Sequence, residues 1–238
     1  MSVLINSNDD HLTSKPQSYY KDNEVYLMQS KEELETVFRF RYFVYIEQMD
    51  RQGLKHVDHE RKMIIDEWDH LNPYILGVFK DNKMIGTVRL NKLEKGQDYP
   101  YEDLFNYSFI NHLSQNNCCY TSKIITDKKS RVLSTTLKLM NEVYRYSLHE
   151  KITHSLLDCN DPILSFFSKY GFVKTRDANH PEFGNIHIML LENFNERYLQ
   201  SIRSPFFKIL KEYQDIQSIN IFNHQNTKEQ INGKFNVQ

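Results

Sequence analysis

The sequence predicts a single α/β domain whose mixed central sheet is flanked by helices. Two features indicate this class. First, the dipeptide Asp81-Asn82, typical of a tight hairpin turn, separates two runs rich in β-branched and aromatic residues. Second, a buried strand at 117–126 and another at 152–159 enclose one amphipathic helix, which is the order of a parallel crossover. An antiparallel hairpin next to a parallel crossover gives a mixed sheet.

The remaining elements follow from periodicity and capping signals. Ser30 and Glu33 form a capping-box pattern ahead of an apolar stripe, which predicts a helix to about Gln48. The charged segment 50–62 contains Gly53 and lacks periodicity, so we expect a loop there. The predicted order is strand 24–28, helix 30–48, loop 50–62, strands 73–80 and 83–93, helix 99–114, strand 117–126, helix 130–149, strand 152–159, helix 161–171, strand 185–191 and helix 195–215.

Length and composition limit the classes of function. We expect one folded domain over residues 24–215, a flexible N-terminal arm at 1–23 and a polar, disordered tail at 216–238. A formal net charge of −1 gives the protein as a whole no attraction for nucleic acid, so we expect no nucleic-acid partner. No apolar stretch approaches the roughly 20 residues of a membrane span, and the polar start does not predict a signal peptide.

The cysteines and histidines predict a reducing compartment and no metal. The three cysteines show neither metal-ligand spacing nor an even disulfide set. His56, His59 and His70 lie in or near the charged loop at irregular spacing, which favours a solvated loop over a metal site. We therefore expect a cytoplasmic protein without a bound metal.

A cluster of basic residues lies where the helix after strand 117–126 begins. Lys128, Lys129 and Arg131 precede the polar Ser134 and Thr135. A helix N-terminus offers free N–H groups and a positive dipole end, and lysines there are unfavourable by about 0.3–1 kcal/mol each unless an anion offsets them. The cluster therefore favours an anion site over a solvated basic surface. No glycine is present to form a phosphate-cradling loop.

Four charged residues can form an ion network beside the hairpin. Asp66 and Asp69 are three residues apart just before a strand, Arg41 lies on the first helix and Arg89 lies on the second hairpin strand. Opposite charges at this spacing keep each other ionised and fix the floor of a pocket. A substrate-binding pocket and a structural fastening of the long loop both remain open at this point, since Arg–Asp networks serve both purposes.

Several segments resemble acyltransferases. The strand, basic helix, strand, short helix and "KYGF" resemble the GNAT superfamily. The segments "FRFRYFVYIEQMDR", "IIDEWDHLNPYIL", "MIGTVRL" and "RSPF", in this order, resemble the long-chain N-acyl amino acid synthases and their relatives, the autoinducer (acyl-homoserine-lactone) synthases. The resemblance extends from residue 24 to about 210. It implies a GNAT-like, mostly antiparallel central sheet.

The resemblance also implies a reaction. It suggests an enzyme that transfers a long acyl chain from acyl carrier protein, or from coenzyme A, to the amine of an amino acid. The acyl-thioester is then a co-substrate, and no tightly bound cofactor is expected. Two alternatives are an autoinducer synthase that uses S-adenosylmethionine, and an inactive GNAT-like module that binds acyl carrier protein or an acyl lipid.

The resemblance assigns expected roles to individual residues. A carboxylate or a water chain must accept the amine proton, and the candidates in order are Asp66, Asp69, Glu47 and Glu67. Arg41 and Arg89 would bind the amino-acid acceptor. Tyr120, Ser122 and Lys123 would also line the acceptor site.

Two positions depart from the patterns of the related enzymes. Tyr120 stands where the autoinducer synthases carry a glutamate, which argues against lactone synthesis. Phe167 stands where many GNAT enzymes carry a tyrosine that protonates the leaving thiolate, so either Tyr170 or solvent would supply that proton, or the thiolate would leave without it.

The basic helix start predicts the identity of the acyl donor. Coenzyme A needs several close backbone N–H groups for its diphosphate, whereas the arm of an acyl carrier protein presents one phosphodiester on a small acidic protein. We therefore interpret Lys128, Lys129 and Arg131 as a docking site for acyl carrier protein, with Ser134 and Thr135 near the donor phosphate. A peripheral membrane contact through the C-terminal helix is a further, minor expectation.

Overall fold

The described part of the chain builds one main sheet with helices on both faces. The computed structural model describes residues 20–105, 112, 117–129 and 133–218. The strands are β1 (Val25–Leu27), β2 (Val57–Asp58), β3 (Met63–Ile64), β4 (Tyr74–Lys80), β5 (Lys83–Leu93), β6 (Cys118–Thr126), β7 (His154–Cys159), β8 (Val173–His180) and β9 (Gly184–Glu192). The helices are α1 (Lys31–Tyr42), continued by a π-helix (Phe43–Gln48), a 3₁₀ turn (Glu67–His70), α2 (Glu102–Phe105), α3 (Leu133–His149), α4 (Asp161–Tyr170), α5 (Glu196–Ser201) and α6 (205–218).

Within the described residues, seven strands form the main sheet in the order β1-β4-β5-β6-β7-β9-β8. The β6–β7 pair is parallel. The other five neighbouring pairs are antiparallel. A parallel pair needs a crossover connection, and α3 is that connection. The predicted fold class, a mixed and mostly antiparallel sheet flanked by helices, is confirmed.

The two faces of the sheet pack against different elements. On one face, Val37 and Phe40 of α1 pack with Ile75 of β4. On the other face, Leu139 of α3 packs with Leu76 of β4. The alternation of side chains along a strand explains why the adjacent residues Ile75 and Leu76 join different cores. The helices after β7 cover the same face as α3, where they bury Leu157, Phe167, Leu199 and Phe206 in one cluster.

The local signals at the first helix and at the hairpin act as predicted. The Glu33 N–H donates to Ser30 Oγ at 3.2 Å, and the Ser30 N–H donates to Glu33 Oε2 at 2.9 Å, so the capping box is formed. Asp81 and Asn82 both have left-handed backbones, with φ of 50° and 57°. A two-residue hairpin turn of type I′ requires this conformation at both positions.

Three expectations about secondary structure are wrong. Strand β8 was not predicted, because its largely exposed sequence lacks the alternation of a half-buried strand. The helix predicted at 195–215 is two helices, α5 and α6, separated by a turn in which Arg203 has φ of 55° and Pro205 begins the second helix. The loop predicted at 50–62 contains strand β2, which pairs with β3 in a short hairpin.

Some predictions concern residues that the structure does not describe. The predicted arm falls on residues 1–19 for most of its length, and the predicted tail falls on 219–238 for all but its first three residues. In the predicted helix 99–114, helix α2 lies in the described part, while residues 106–111, 113 and 114 lie outside it. Arg131 of the basic cluster also lies outside the described residues.

Candidate active site

A buried ion network joins α1, the 3₁₀ turn and the paired strands β5 and β6. Arg41 Nη1 lies 2.7 Å from Asp69 Oδ2. Arg89 binds Asp66 through both terminal nitrogens, with Nη2 donating to Oδ2 at 3.2 Å, and its Nη1 also lies 2.8 Å from Asp69 Oδ1. Lys123 Nζ lies 3.1 Å from Asp66 Oδ2. The structure therefore brings together Arg41, Asp66, Asp69 and Arg89, as their charges indicated, and adds Lys123.

The two aspartates are held by the turn that they cap. Asp66 is the N-cap of the 3₁₀ turn, and its Oδ1 accepts a hydrogen bond from the Trp68 N–H at 3.1 Å. Asp69 reaches back, and its Oδ2 accepts from the Asp66 N–H at 2.9 Å. This is a capping box made from two aspartates. The three-residue spacing thus holds both carboxylates through hydrogen bonds that do not involve the arginines.

Exposure separates the five side chains into two groups. Arg41, Asp69 and Arg89 are at most 1% exposed, whereas the side chains of Asp66 and Lys123 are each 10% exposed. Asp66 and Lys123 therefore form the edge of the network that solvent, or a ligand, can reach.

The charges in the network keep both carboxylates ionised. Burial would raise the pKa of Asp66, but the cations Arg89 and Lys123 outweigh burial and lower it well below the usual range. Burial likewise opposes the cations Arg41 and Arg89 at Asp69, and the pKa of Asp69 is also lowered. Within the described residues, three cations face two carboxylates in this network, and the buried Arg41 Nε and Nη2 have no hydrogen-bond partner.

A bulge in β6 places Lys123. Ser122 pairs with Arg89 and Ile125 pairs with Thr87, so Lys123 and Ile124 together stand opposite one residue of β5. Lys123 has a left-handed backbone, with φ of 53°. Its ammonium group lies 5.4 Å from the ring centroid of Tyr45 and 5.5 Å from that of Phe183. The bulge thus turns a strand residue toward the carboxylates and between two aromatic rings.

Strands β6 and β7 separate just before the bulge. Their parallel pairing ends at Thr121 and Leu157. The next residues of β7, Asp158 and Cys159, pair with β9 on its other side. The carboxyl ends of β6 and β7 therefore border a cleft, the usual place for a ligand in a sheet with parallel strands.

Tyr120 connects the network to the cleft. Its buried ring lies 4.7 Å from Trp68 and 4.9 Å from Phe105, measured between ring centroids. Its hydroxyl donates a hydrogen bond to Asp158 Oδ1. Burial and the charge of Asp158 raise the pKa of Tyr120 well above its usual value, so the phenol keeps its proton. The sequence did not single out Asp158, because the pairing of two strands places it beside Tyr120.

Glu47 does not join this site. Its side chain is 42% exposed and lies 3.2 Å from Lys62 Nζ, on the surface. The π-helix carries Glu47 past the network, although Arg41 precedes it by only six positions. The structure therefore separates the third candidate base from the first two.

The basic helix start is only partly described. Lys128 and Lys129 are exposed. The Lys128 N–H donates to Gln48 Oε1 at 3.0 Å, and the Lys129 N–H donates to Asp127 Oδ1 at 3.1 Å. The backbone donors of these two lysines thus have partners within the protein, and an anion would meet their side chains.

Other residues of the helix are engaged in packing or ion pairs. Thr135 is buried and packs against Gly86 of β5, and Ser134 is half-buried. Arg145, farther along α3, lies 3.1 Å from Glu212 and 3.5 Å from Glu142. A docking surface would therefore be confined to the start of the helix.

The described residues give no group of three or more His, Cys, Asp and Glu side chains arranged to hold a metal ion. His56 Nε2 lies 3.1 Å from Glu67. The cysteines Cys118, Cys119 and Cys159 are buried and unbridged, and burial raises the pKa of each thiol. None of the described helices has the length and hydrophobicity to cross a bilayer.

Comparison with known proteins identifies the family. The family described as N-acyl amino acid synthase FeeM matches residues 36–192, more than half of the chain. The chain belongs to the FeeM N-acyl amino acid synthase family. No curated protein matches the sequence significantly. The resemblance that the sequence motifs indicated is confirmed, and the chain is an N-acyltransferase.

Solved structures show the same fold as this FeeM-family chain. FeeM itself, an N-acyl amino acid synthase from uncultured soil microbes, superimposes with a TM-score of 0.60 at 12% identity, covering 79% of this chain and 97% of FeeM. The CoA-dependent acyl-homoserine lactone synthase BjaI superimposes with a TM-score of 0.53 at 17% identity, covering 74% of this chain and 84% of BjaI. An acyl-CoA N-acyltransferase from Pseudomonas aeruginosa superimposes with a TM-score of 0.51 at 12% identity, covering 71% of this chain and 99% of that enzyme.

Two features of this FeeM-family chain can be compared with the needs of acyl transfer to an amine. Such a reaction needs a place for a charged acceptor and donors for the oxyanion of the tetrahedral intermediate. The network edge at Asp66 and Lys123 offers both signs of charge next to the cleft. The bulge at Lys123 interrupts the β5–β6 ladder at the same place.

Proposed function

We propose that this FeeM-family enzyme transfers a long acyl chain from acyl carrier protein to the amine of an amino acid. The main support is the buried ion network, in which three cations face two carboxylates and the two members nearest solvent carry opposite charges. Buried charges need partners, so a network with surplus positive charge favours an anionic ligand.

An amino acid fits both signs of charge at the network edge. Its ammonium group would bind Asp66 and its carboxylate would bind Lys123, so each charge of the zwitterion would meet an opposite charge. Arg41, Asp69 and Arg89 lie beneath this edge and hold it in place. We thus assign acceptor contact to Asp66 and Lys123 and a supporting role to the two arginines. Ser122 supports Arg89 by accepting a hydrogen bond from its Nε at 3.1 Å.

The bulge in β6 supports a binding place for the thioester. A bulge leaves backbone groups outside the ladder, and the N–H groups at Lys123 and Ile124 are suited to the developing oxyanion. The amine nitrogen attacks the carbonyl carbon, the C–N bond forms, and the C–S bond then breaks to release the thiolate. No covalent intermediate with the enzyme is needed.

The start of α3 supports a carrier protein as the donor. Lys128 and Lys129 present exposed ammonium groups, while their backbone N–H groups donate to Gln48 and Asp127. Side-chain cations suit one phosphodiester on an acidic protein better than the diphosphate of coenzyme A, which needs close backbone donors. The sequence alone adds Arg131 to this proposed docking site.

Mass spectrometry of products from the purified enzyme tests this function. The assay offers acyl carrier protein and coenzyme A thioesters of several chain lengths with each common amino acid, and with S-adenosylmethionine to test the autoinducer alternative. We expect an N-acyl amino acid. A folded enzyme that forms no amide from any combination would contradict the proposal and favour an inactive binding module.

Two lysine variants show whether the network edge binds the acceptor. Lys123→Ala is expected to raise the acceptor KM at least tenfold. The matched variant Lys92→Ala lies on the opposite face of the hairpin, where Lys92 pairs with Glu150, and should leave that KM unchanged. Equal KM values in the two variants would remove Lys123 from the acceptor site.

A further inference from the structure

Asp158 lies on the same face of the sheet as the ion network. Arg89 pairs with Ser122, and Tyr120, two residues before Ser122, pairs with Leu156 of β7. Side chains alternate along a strand, so Arg89, Ser122, Tyr120 and Asp158 share one face. The Tyr120–Asp158 hydrogen bond agrees with this register.

Asp158 also lies where the cleft opens. It follows Leu157, the last residue of β7 that pairs with β6, and so stands across the opening from Ser122 and the bulge at Lys123. Asp158 is half-buried. Within the described part of the chain, the Tyr120 hydroxyl is the side-chain group that bonds its carboxylate. An acceptor amine held at Asp66 and a thioester held at the bulge would meet between these residues and Asp158.

The aspartates of the ion network are poor candidates for the base. Asp66 binds Arg89 through both oxygens and also contacts Lys123. Asp69 contacts Arg41 and Arg89 and accepts the Asp66 N–H. Carboxylates held by several cations have little affinity for a proton, whereas a general base must take one readily. Anchoring the acceptor is the role that remains for them.

We propose that Asp158 is the general base that accepts the proton of the acceptor amine. This inference rests on the proposed function. The bound ammonium group first loses one proton to solvent, which leaves a neutral amine. As this amine attacks and the C–N bond forms, a second N–H bond breaks and that proton passes to the Asp158 carboxylate. The C–S bond then breaks, and Asp158 returns the proton to the thiolate sulfur. The products are the amide and a neutral thiol, and Asp158 is again ionised.

Tyr120 acts as a positioning residue in this scheme. Its hydroxyl donates to Asp158 Oδ1, which orients the carboxylate and leaves Oδ2 for the amine. The base itself cannot be Tyr120, because burial and Asp158 keep its phenol protonated. Tyr120 stands where autoinducer synthases carry a glutamate. In this chain a carboxylate beside that position comes instead from Asp158 on the neighbouring strand.

Besides Tyr120, the titratable groups whose pKa the charge of Asp158 affects include His180 and Cys159, and Asp161 and Lys123 lie near these two groups. His180 Nδ1 accepts the N–H groups of Glu182 at 3.1 Å and Phe183 at 3.3 Å, so its proton sits on Nε2 in the neutral form. Burial lowers the pKa of His180 more than the charges of Asp158 and Glu182 raise it. Burial raises the pKa of the Cys159 thiol to about 11. Both groups are neutral at physiological pH, and among the residues that the structure describes no cation lies within ion-pair distance of Asp158.

Kinetics of Asp158→Asn test the proposal. We expect kcat to fall about 100-fold, the low end for loss of a general base, with the acceptor KM changed less than threefold. The kcat of this variant should keep rising with pH where the parent has levelled, because solvent must take the proton. Asp158→Glu should restore part of kcat, and Tyr120→Phe should lower it about tenfold with a shifted pH profile. Asp161→Asn, the same change three residues along on an exposed side chain, should keep parental kcat.

The outcomes separate this proposal from the function on which it rests. A parent enzyme that forms no amide overturns both. An active parent with Asp158→Asn within threefold of its kcat overturns the role of Asp158 alone. If Asp158→Asn fails to fold by circular dichroism, the folded variants Asp158→Glu and Tyr120→Phe decide instead, and parental kcat and pH profile in both would overturn the proposal.

Discussion

Arg41 and Asp69 form a 2.7 Å ion pair between Nη1 and Oδ2, with both side chains at most 1% exposed. The pair ties the first helix to the turn before β4. Arg41 lies on the apolar stripe of α1, which faces the protein interior. Its ion pair with Asp69 explains how an arginine can be buried there. Removing one partner of such a pair leaves an uncompensated charge away from water.

Asp69→Asn is expected to lower the free energy of unfolding by about 3–5 kcal/mol, because it leaves Arg41 and Arg89 without a carboxylate that faces both. Denaturant titration of both proteins measures the change. Glu35→Gln is the control, since Glu35 and Arg61 are 3.8 Å apart and substantially exposed, and it should change stability by less than about 1 kcal/mol. A loss below about 1 kcal/mol in Asp69→Asn would show that the network adds little to stability.

Stability should fall at acid pH because of Asp66 and Asp69. Their pKa values are lowered in the folded protein, so the unfolded chain binds their protons first, at about pH 3.9. The stabilisation is complete above that pH and is lost as the pH falls toward the folded pKa values. Unfolding free energy measured from pH 7 to 2.5 should show this decline. Asp66→Asn should be less stable at pH 7 and decline less steeply, and parallel curves would contradict the linkage.

Gly86 allows α3 to lie against β5. A Cβ at this position would come within 2.7 Å of Thr135 Cγ2 and 3.2 Å of Leu139 Cδ1. Gly86→Ala should therefore cost about 1–3 kcal/mol of unfolding free energy through overpacking. Thr135→Ser removes the nearest methyl group, so the double variant should recover part of the loss. A double-mutant cycle by thermal unfolding measures the coupling, and strict additivity of the two changes would contradict the contact.

Charge reversal at Lys128 and Lys129 tests the proposed carrier-protein docking. The double change to Glu should raise the KM for acyl carrier protein at least tenfold at low salt, and the effect should shrink as salt screens the charges. The KM for the coenzyme A thioester should change much less. Lys208→Glu, on an exposed side chain of α6, is the control and should leave both KM values near parental. Equal effects on both donors would favour a phosphate site without carrier selectivity.

The sequence predicts most elements because their signals are local. The Ser30–Glu33 capping box and the Asp81-Asn82 turn each act within four residues. The contacts among Arg41, Asp66, Asp69 and Arg89 were also predictable, because opposite charges near the core need each other as partners. Strand β8 was missed because an exposed edge strand shows little alternation.

The rest of the site depends on distant pairing. Lys123 reaches Asp66 through a bulge that only the β5–β6 register reveals. Asp158 meets Tyr120 because two parallel strands align. Glu47 was a candidate base, yet the helix turns its side chain to the surface. Residue spacing along the chain cannot predict these contacts, because they form only when separate segments pack together.

The ion network draws its members from positions 41, 66, 69, 89 and 123. These contacts join residues that are far apart in sequence. They form only after the intervening segments have lost the conformational entropy of loop closure. A chain emerging from the ribosome therefore cannot complete the proposed acceptor site before β6 has joined the sheet. Capture of an amino acid at that site would report that the first half of the fold is finished.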